Sequence, residues 1–378
     1  MPELNLPEVS VSNMLPFGVT IRPLLVQSCL TDSDLNNMLR ERGVFVGNVD
    51  KQNLVPLIMK MVMSPDEFEA LFERQKTKEE APKRHNTHLS STTQNTMFAA
   101  LNGIDISANN MMPTSVQNSD FHTPISVSAT GSNEVTYSYT IVRHDLTKDW
   151  VQPQSTHKGV VTLTKDASTG DVKVSSEYTS KETDEINRLI CKTCIAHLKQ
   201  NGEVGTEEKR ILPSDFTNRE RFNFLLRIAG DNTDGSLRAT GIRDLEIGPD
   251  PKDPPATGTW IVSDNVRKLI INGKNLEQNL TQITDADKDH LILRSLQVDF
   301  DVDFQGKKVR CYIDYGFLHF FRNQNTDPEF QYSIRLAKLQ TPTNEVAVRK
   351  YIADVFECHR DRVYGQMMAD KAGVAQKT

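Results

Sequence analysis

The sequence predicts an α+β protein: a small helical N-terminal module, a polar linker, and a larger mixed domain with antiparallel hairpins and a long C-terminal helix. Three observations carry this. Apolar residues recur at helical spacing between Leu35 and Met61. Beyond Phe121 the chain turns to segments rich in Val, Thr and Tyr, separated by turn residues. Strands and helices then follow one another without the regular alternation of a doubly wound parallel sheet. A length of 378 residues suits one large domain or two smaller ones, and 37% hydrophobic with 25% charged residues describes a globular chain.

Residues 1–30 hold prolines at positions 2, 7, 16 and 23, a density that opposes helix and central strand alike, so an extended arm is expected. A module over 31–78 follows. Thr31-Asp32-Ser33-Asp34 supplies N-cap residues, Leu35, Met38 and Leu39 share one helix face, and Gly43 stops the run. After the extended Val44-Phe45-Val46, Asp50 opens a second helix with Leu54, Leu57, Ile58 and Met61. Ser64-Pro65-Asp66-Glu67 combines an N-cap serine, a proline in the first turn and a glutamate placed for a capping box, which predicts a third helix through Arg74.

Residues 79–118 hold Lys83-Arg84-His85, then Ser90 to Thr96 with almost no apolar content, then the weakly apolar Met97 to Ile106, and read as a linker with at most one short docked piece. The α+β domain spans 119–378. It opens with a strand at Val135–Val142 and a hairpin joining Val160–Thr164 to Val172–Tyr178 through Asp166–Asp171. A helix over 181–200 closes at Asn201-Gly202, and another runs from Pro213-Ser214-Asp215 to Gly230. Strands resume at Thr259–Ser263 and Leu291–Asp303, and Asp250–Pro255 is a stiff connector. From Thr341-Pro342 a long helix carries Val348, Tyr351, Ile352, Val355, Phe356, His359 and Val363 on one stripe.

Charge and cysteine usage exclude several classes. With 44 basic against 50 acidic residues the net charge is -6, so bulk attraction to nucleic acid is ruled out and any such binding has to be local. Five scattered cysteines, no basic segment leading into a long apolar run, and no stretch near the roughly 20 apolar residues of a membrane helix point to the reducing cytosol, with no membrane partner.

Asp34-Leu35, Met38-Leu39, Arg42-Gly43-Val44, Gly47, Lys51, Leu54-Val55 and Ile58 resemble the helix, extended loop, helix pattern of SAP-like and HeH modules over residues 31–63. The resemblance implies a nucleic-acid-binding role for Arg40, Arg42, Lys51 and Lys60. Pro56 departs from the pattern, and Asp32, Asp34, Glu41 and Asp50 lie among the cations; residues 1–78 hold 8 basic and 10 acidic residues, which favours protein docking over phosphate contact.

No other constellation compels a site. Cys191, Cys194 and His197 fall at i, i+3 and i+6 of the expected helix, without a second cysteine pair, and read as buried residues of a core-facing helix rather than as a metal or redox site. Asp299, Asp301 and Asp303 share a strand face but lack the glycine and glutamate of a calcium loop. With a turn at Gln305-Gly306, Asp303 faces Lys308, Asp301 faces Arg310, Val302 meets Val309, Phe300 meets Cys311 and Val298 meets Ile313, one face charge-matched and the other apolar; a turn at Gly306-Lys307 would shift the pairs and keep both faces. Asp171-Val172-Lys173, with Asp149 upstream, has the acid-x-Lys spacing of metal-dependent nucleases, a spacing that Glu207-Glu208-Lys209 repeats by chance. Tyr315–Arg322 concentrates aromatics as a base-stacking surface does, or as a buried strand does. No phosphate loop, zinc-protease helix or nucleophile elbow is present.

The expectation is a non-catalytic, cofactor-free interaction subunit of a cytosolic multi-protein assembly, such as a phage-defence system, that docks a partner protein and has local access to nucleic acid. A divalent-metal nuclease built on Asp171 and Lys173 is the alternative from another class, and a self-assembling structural subunit is the third.

Overall fold

The computed structural model describes residues 15, 17–26, 30, 32–71, 82–116, 119–144, 154–166, 169–230, 232, 235–250, 252–253, 269–272, 276, 280, 283–317, 327–337 and 344–375. The strand expected at Thr259–Ser263, the cap at Thr31, Arg74, Asp149 and the aromatic segment Leu318–Arg322 lie outside the described residues. The chain forms two compact units, Met1–Ala81 with Ser91–Gly205, and Pro82–Ser90 with Thr206–Thr378. The long stretch expected as one α+β domain is thus shared between them. No helix among the described residues is long and apolar enough to cross a membrane.

The first unit begins with helices. A 3-10 turn, Gly18–Ile21, leads into α1, Arg22–Leu25, inside the segment expected to be an extended arm. The proline that argued against helix, Pro23, sits in the first turn, where a missing N–H is not needed, and Ile21, Leu24 and Leu25 are buried. Then come α2, Asp32–Glu41, and α3, Lys51–Ile58, which continues through Pro56, followed by α4 over 65–71. These elements share their own core, including Leu30, Leu35, Leu39, Leu54, Ile58 and Leu71.

The rest of this unit is an antiparallel sheet in the order β2, Ser119–Ala129; β3, Glu134–His144; β4, Gln154–Lys165; and β5, Val172–Tyr178. The expected hairpin between β4 and β5 is present, with Gly170 at φ +76 in its loop. A short helix, α5, Met97–Ala100, buries Met97 and Ala100. Helix α6, Lys181–Gln200, lies over the sheet within the bounds read from sequence: Ser180 and Thr183 form its capping box, and Gly202 at φ +67 follows its end. Asn187 on α6 is a satisfied buried hub, accepting from Tyr139 Oη at 2.8 Å and donating to Ser176 Oγ at 3.0 Å and the Glu177 carbonyl at 2.8 Å.

The second unit holds an antiparallel sheet in the order β1, Lys83–Ser91; β11, Gln331–Leu336; β10, Lys307–Gly316; β9, Leu291–Phe304; β7, Leu237–Pro249; and β8, Leu269–Asn272. Strand β1 falls in the segment expected to be linker. Its signal is hidden because three of its four buried residues, His85, Asn86 and Thr87, are polar, Leu89 being the fourth; His85 and Thr87 meet Glu329 at 3.2 and 3.1 Å. The β9–β10 register is the one read from sequence, with Asp303 opposite Lys308 and Phe300 opposite Cys311. Gln305 at φ +54 and Gly306 at φ +76 make the turn, the two left-handed residues a two-residue hairpin loop requires.

Helices α7, Asn218–Ile228, and α9, Glu345–Ala375, bury Phe222, Leu225, Ile352 and Phe356 in one core with Val298, Phe300, Ile313 and Tyr315 of the sheet. The short α8, Asp285–Asp289, is capped by Thr284. Helix α7 starts later than its expected Pro213-Ser214-Asp215 opening: those residues form a separate 3-10 turn, and Thr217 with Glu220 builds the capping box. The stripe on α9 is as read, with Val348, Ile352, Phe356, His359 and Val363 buried.

Candidate functional site

The N-terminal module assembles its surface from the end of α2. The Val44 amide donates to the Leu39 carbonyl and the Gly43 amide to the Arg40 carbonyl, both at 2.9 Å, with Gly43 at φ +75. This paired pattern closes the helix and turns the chain sharply outward. In the extended segment that follows, Val44 and Val46 pack on the module core while Phe45 between them is 79% exposed. Alternation in an extended chain explains the geometry: with both neighbours pinned inward, the phenyl ring has to point out.

A second lock fixes the far side. The Ser64 amide donates to Glu67 Oε2 at 2.7 Å and the Glu67 amide to Ser64 Oγ at 3.3 Å, the capping box expected at the start of α4. Glu67 also takes a two-pronged bond from Arg42, Nε to Oε1 at 2.6 Å and Nη2 to Oε2, and Arg42 Nη2 reaches the Val62 carbonyl at 2.8 Å. Arg42 therefore ties the end of α2 to the start of α4. Its guanidinium, helped by the Ser64 donors, holds the Glu67 carboxyl down at about 2.

Of the four cations that the sequence nominates for nucleic acid, Arg42 is thus engaged inside the module, Lys51 is half-buried at the first position of α3, and Arg40 and Lys60 are exposed. The remaining candidates separate in space. Cys194 faces the core beside Tyr137, where burial pushes its thiol up to about 12, while His197 bonds Asn201 at 3.0 Å. Asp299 and Asp301 are paired with Arg243 and Arg310 at 2.7 and 3.0 Å, and Asp303 accepts from the Gly306 amide. Asp171 belongs to the β4–β5 loop, its carbonyl accepting from the Asp166 amide at 2.9 Å. Among the described residues no group of three or more His, Cys, Asp or Glu side chains is placed to hold a metal ion. Tyr315 and Phe317 are buried in the core of the second unit.

Sequence patterning located the module but missed its exposed apolar content. Among the described residues nine large hydrophobic side chains are exposed, and six of them, Phe17, Val19, Val26, Phe45, Val49 and Val62, lie in residues 17–62. Their concentration in a small helical module with a complete core of its own marks surface rather than failed packing. The signal was present in Val44-Phe45-Val46, where strict alternation beside a helix stop leaves the middle residue outside.

Fold and surface together define a small helical module with exposed apolar side chains, within the first unit of an α+β chain. Residues 19–81 match the family model described as the GAPS4b protein N-terminal domain, a span wider at both ends than the 31–63 resemblance to SAP-like modules. No curated protein matches the chain. Among solved structures, the crystal structure of DynU16, a protein of the dynemicin biosynthetic locus, is 9% identical over 74% of this chain and 94% of that one, with a TM-score of 0.16, a score that carries no argument about fold.

Proposed function

We propose that this protein is a non-catalytic interaction subunit that docks a partner protein through its N-terminal module, within an anti-phage defence assembly. The observation that carries the docking role is Phe45, an aromatic side chain held outward by two inward-packed valines and accompanied by further exposed apolar residues of the same module. A pre-positioned aromatic loses little conformational freedom on binding, which is why such residues dominate interface energetics. The match of residues 19–81 to the GAPS4b N-terminal domain supports the defence context.

Protein docking is favoured over nucleic-acid binding because Arg42 is already committed to Glu67, which reduces the cations free to meet phosphates. The test is affinity purification of the tagged full-length chain from its native host. A stoichiometric partner is expected, with Phe45→Ser weakening its binding by about 30-fold, the loss of roughly 2 kcal/mol that removal of an interface anchor brings. Retention of the same partner by Phe45→Ser would overturn the docking role of the module. Binding of duplex DNA at about 50 mM salt that falls steeply with added salt, and disappears in Arg40→Ala with Lys60→Ala, would replace it by the nucleic-acid reading.

A further inference from the structure

The face of the second unit's sheet opposite its apolar core is polar, and most of its charges are paired. Glu246 takes Arg294, whose side chain comes from the irregularity between β7 and β9; Asp299 takes Arg243 at 2.7 Å, and that guanidinium lies 4.5 Å over the Tyr312 ring. With its amide oriented to satisfy both neighbours, Gln297 donates to Asp244 Oδ2 at 2.9 Å and accepts from Arg335.

One row departs from this pattern. Across β10, β11 and β1, Asp314 lies opposite Ser333 and Ser333 opposite Lys83. Among the described residues the side chains of these three make no hydrogen bond and no ion pair, and all three are half-buried, so each retains contact with solvent. Asp314 feels Arg335 and Lys83 as attraction and Asp244 and Glu246 as repulsion, and burial dominates, pushing its carboxyl up to about 6. Two strand spacings put the acid and the ammonium about 10 Å apart at Cα, with a hydroxyl between them.

Partly buried ions without partners are unfavourable, and the chemistry of the row says what would relieve both. A lone anion would be repelled by the carboxylates at one end. A lone cation would meet Lys83 at the other, and a neutral molecule would compensate neither charge. We propose that the Asp314–Ser333–Lys83 row binds a small zwitterion of the α-amino-acid class, its ammonium on Asp314 and its carboxylate on Lys83 and Ser333 Oγ. Arg335, two residues along β11 from Ser333, reaches Gln297 on β9 and so lies toward the Asp314 end, leaving Lys83 as the cation at the carboxylate end.

Titration calorimetry of the full-length chain at pH 7 against each of the twenty free amino acids tests this, with the N-acetyl and methyl-amide derivatives of any binder as anion-only and cation-only probes. At least one amino acid is expected to bind with a Kd below about 1 mM, with both derivatives at least tenfold weaker. Asp314→Asn and Lys83→Met should each weaken it at least tenfold while the circular dichroism spectrum stays unchanged. Absence of binding by all twenty to the folded wild-type chain would overturn the proposal, whatever the variants do. So would equal binding of either derivative, or binding retained by the double variant. A loss of thermal stability in Lys83→Met without any ligand effect would assign the row to an internal ion pair instead.

Discussion

The antiparallel strands of each unit bury one face under helices, and the two units treat the other face differently. On the strands of the first unit that face carries hydroxyls in register, Ser128 beside Thr136, Thr136 beside Thr162, Thr162 beside Ser175, with Glu134, Lys158, Lys173 and Glu177 among them. The hydroxyls serve one another: those of Thr136 and Thr162 are 3.2 Å apart, those of Ser126 and Ser138 3.0 Å. On the sheet of the second unit the corresponding face carries Asp, Glu, Arg and Lys. A hydroxyl both donates and accepts, so neighbouring strands can satisfy each other wherever they fall; an ion needs a partner of opposite sign at one particular position. An unpaired row is therefore unremarkable on the first sheet and conspicuous on the second.

The comparison is broken most severely at glycines where strands approach closely. Gly316 has φ +150, and a Cβ there would strike the backbone of Arg294 and Ser295, where the Arg294 carbonyl already accepts from the Phe317 amide at 2.8 Å. Gly316→Ala should destabilise the second unit by about 3 kcal/mol or more, read as a fall in denaturant midpoint. Gly159→Ala meets the Tyr139 ring and hydroxyl without a positive φ at Gly159; the ring can give way only by straining its bonds to Thr183 and Asn187, so the cost should be real but the milder of the two. Equal effects would show that the two sheets tolerate crowding alike.

Next in size is the buried hub of the first unit. Tyr139 Oη donates to the Thr183 carbonyl at 2.9 Å as well as meeting Asn187, so Tyr139→Phe strands buried acceptors and should cost about 1–3 kcal/mol in thermal or denaturant unfolding.

The pH dependence of the second sheet offers a sharper contrast. Asp314 has a carboxyl raised from 3.8 to about 6 in the folded protein. A group raised on folding contributes stability that is fully present below its unfolded value and is lost as pH rises through its folded one. Asp314→Asn should therefore flatten the stability profile between about pH 4 and 6 and match or exceed wild type at pH 7.5, as melting curves across that range would reveal. A wild-type profile unaffected by Asp314→Asn would sink this assignment.

The smallest effect is expected at the exposed end of the charged face. Asp301 and Arg310 form a 3.0 Å pair with the arginine 56% exposed, so Arg310→Ala should change stability by no more than about 1 kcal/mol, and less in high salt.

Helix α6, the β9–β10 register and the stripe on α9 were legible because periodicity, caps and turn residues act within a few positions of one another. Ser180 and Gly202 bound α6 by backbone chemistry alone, and Gln305-Gly306 sets which residues of the hairpin face each other. Strand β1 was hidden for the opposite reason: its polar residues look like linker until Glu329, more than two hundred residues away, arrives to satisfy His85 and Thr87. Arg42 was misleading in the same way, since only the fold brings Glu67 to a cation that otherwise looks free for phosphate. The alternation around Phe45 was written in the chain, but its exposure depends on the core that holds Val44 and Val46. Local dihedral and capping preferences determined the elements, whereas the pairing of charges brought together from distant strands was decided by tertiary structure, because partnership between ions depends on distance in space and not on separation along the chain.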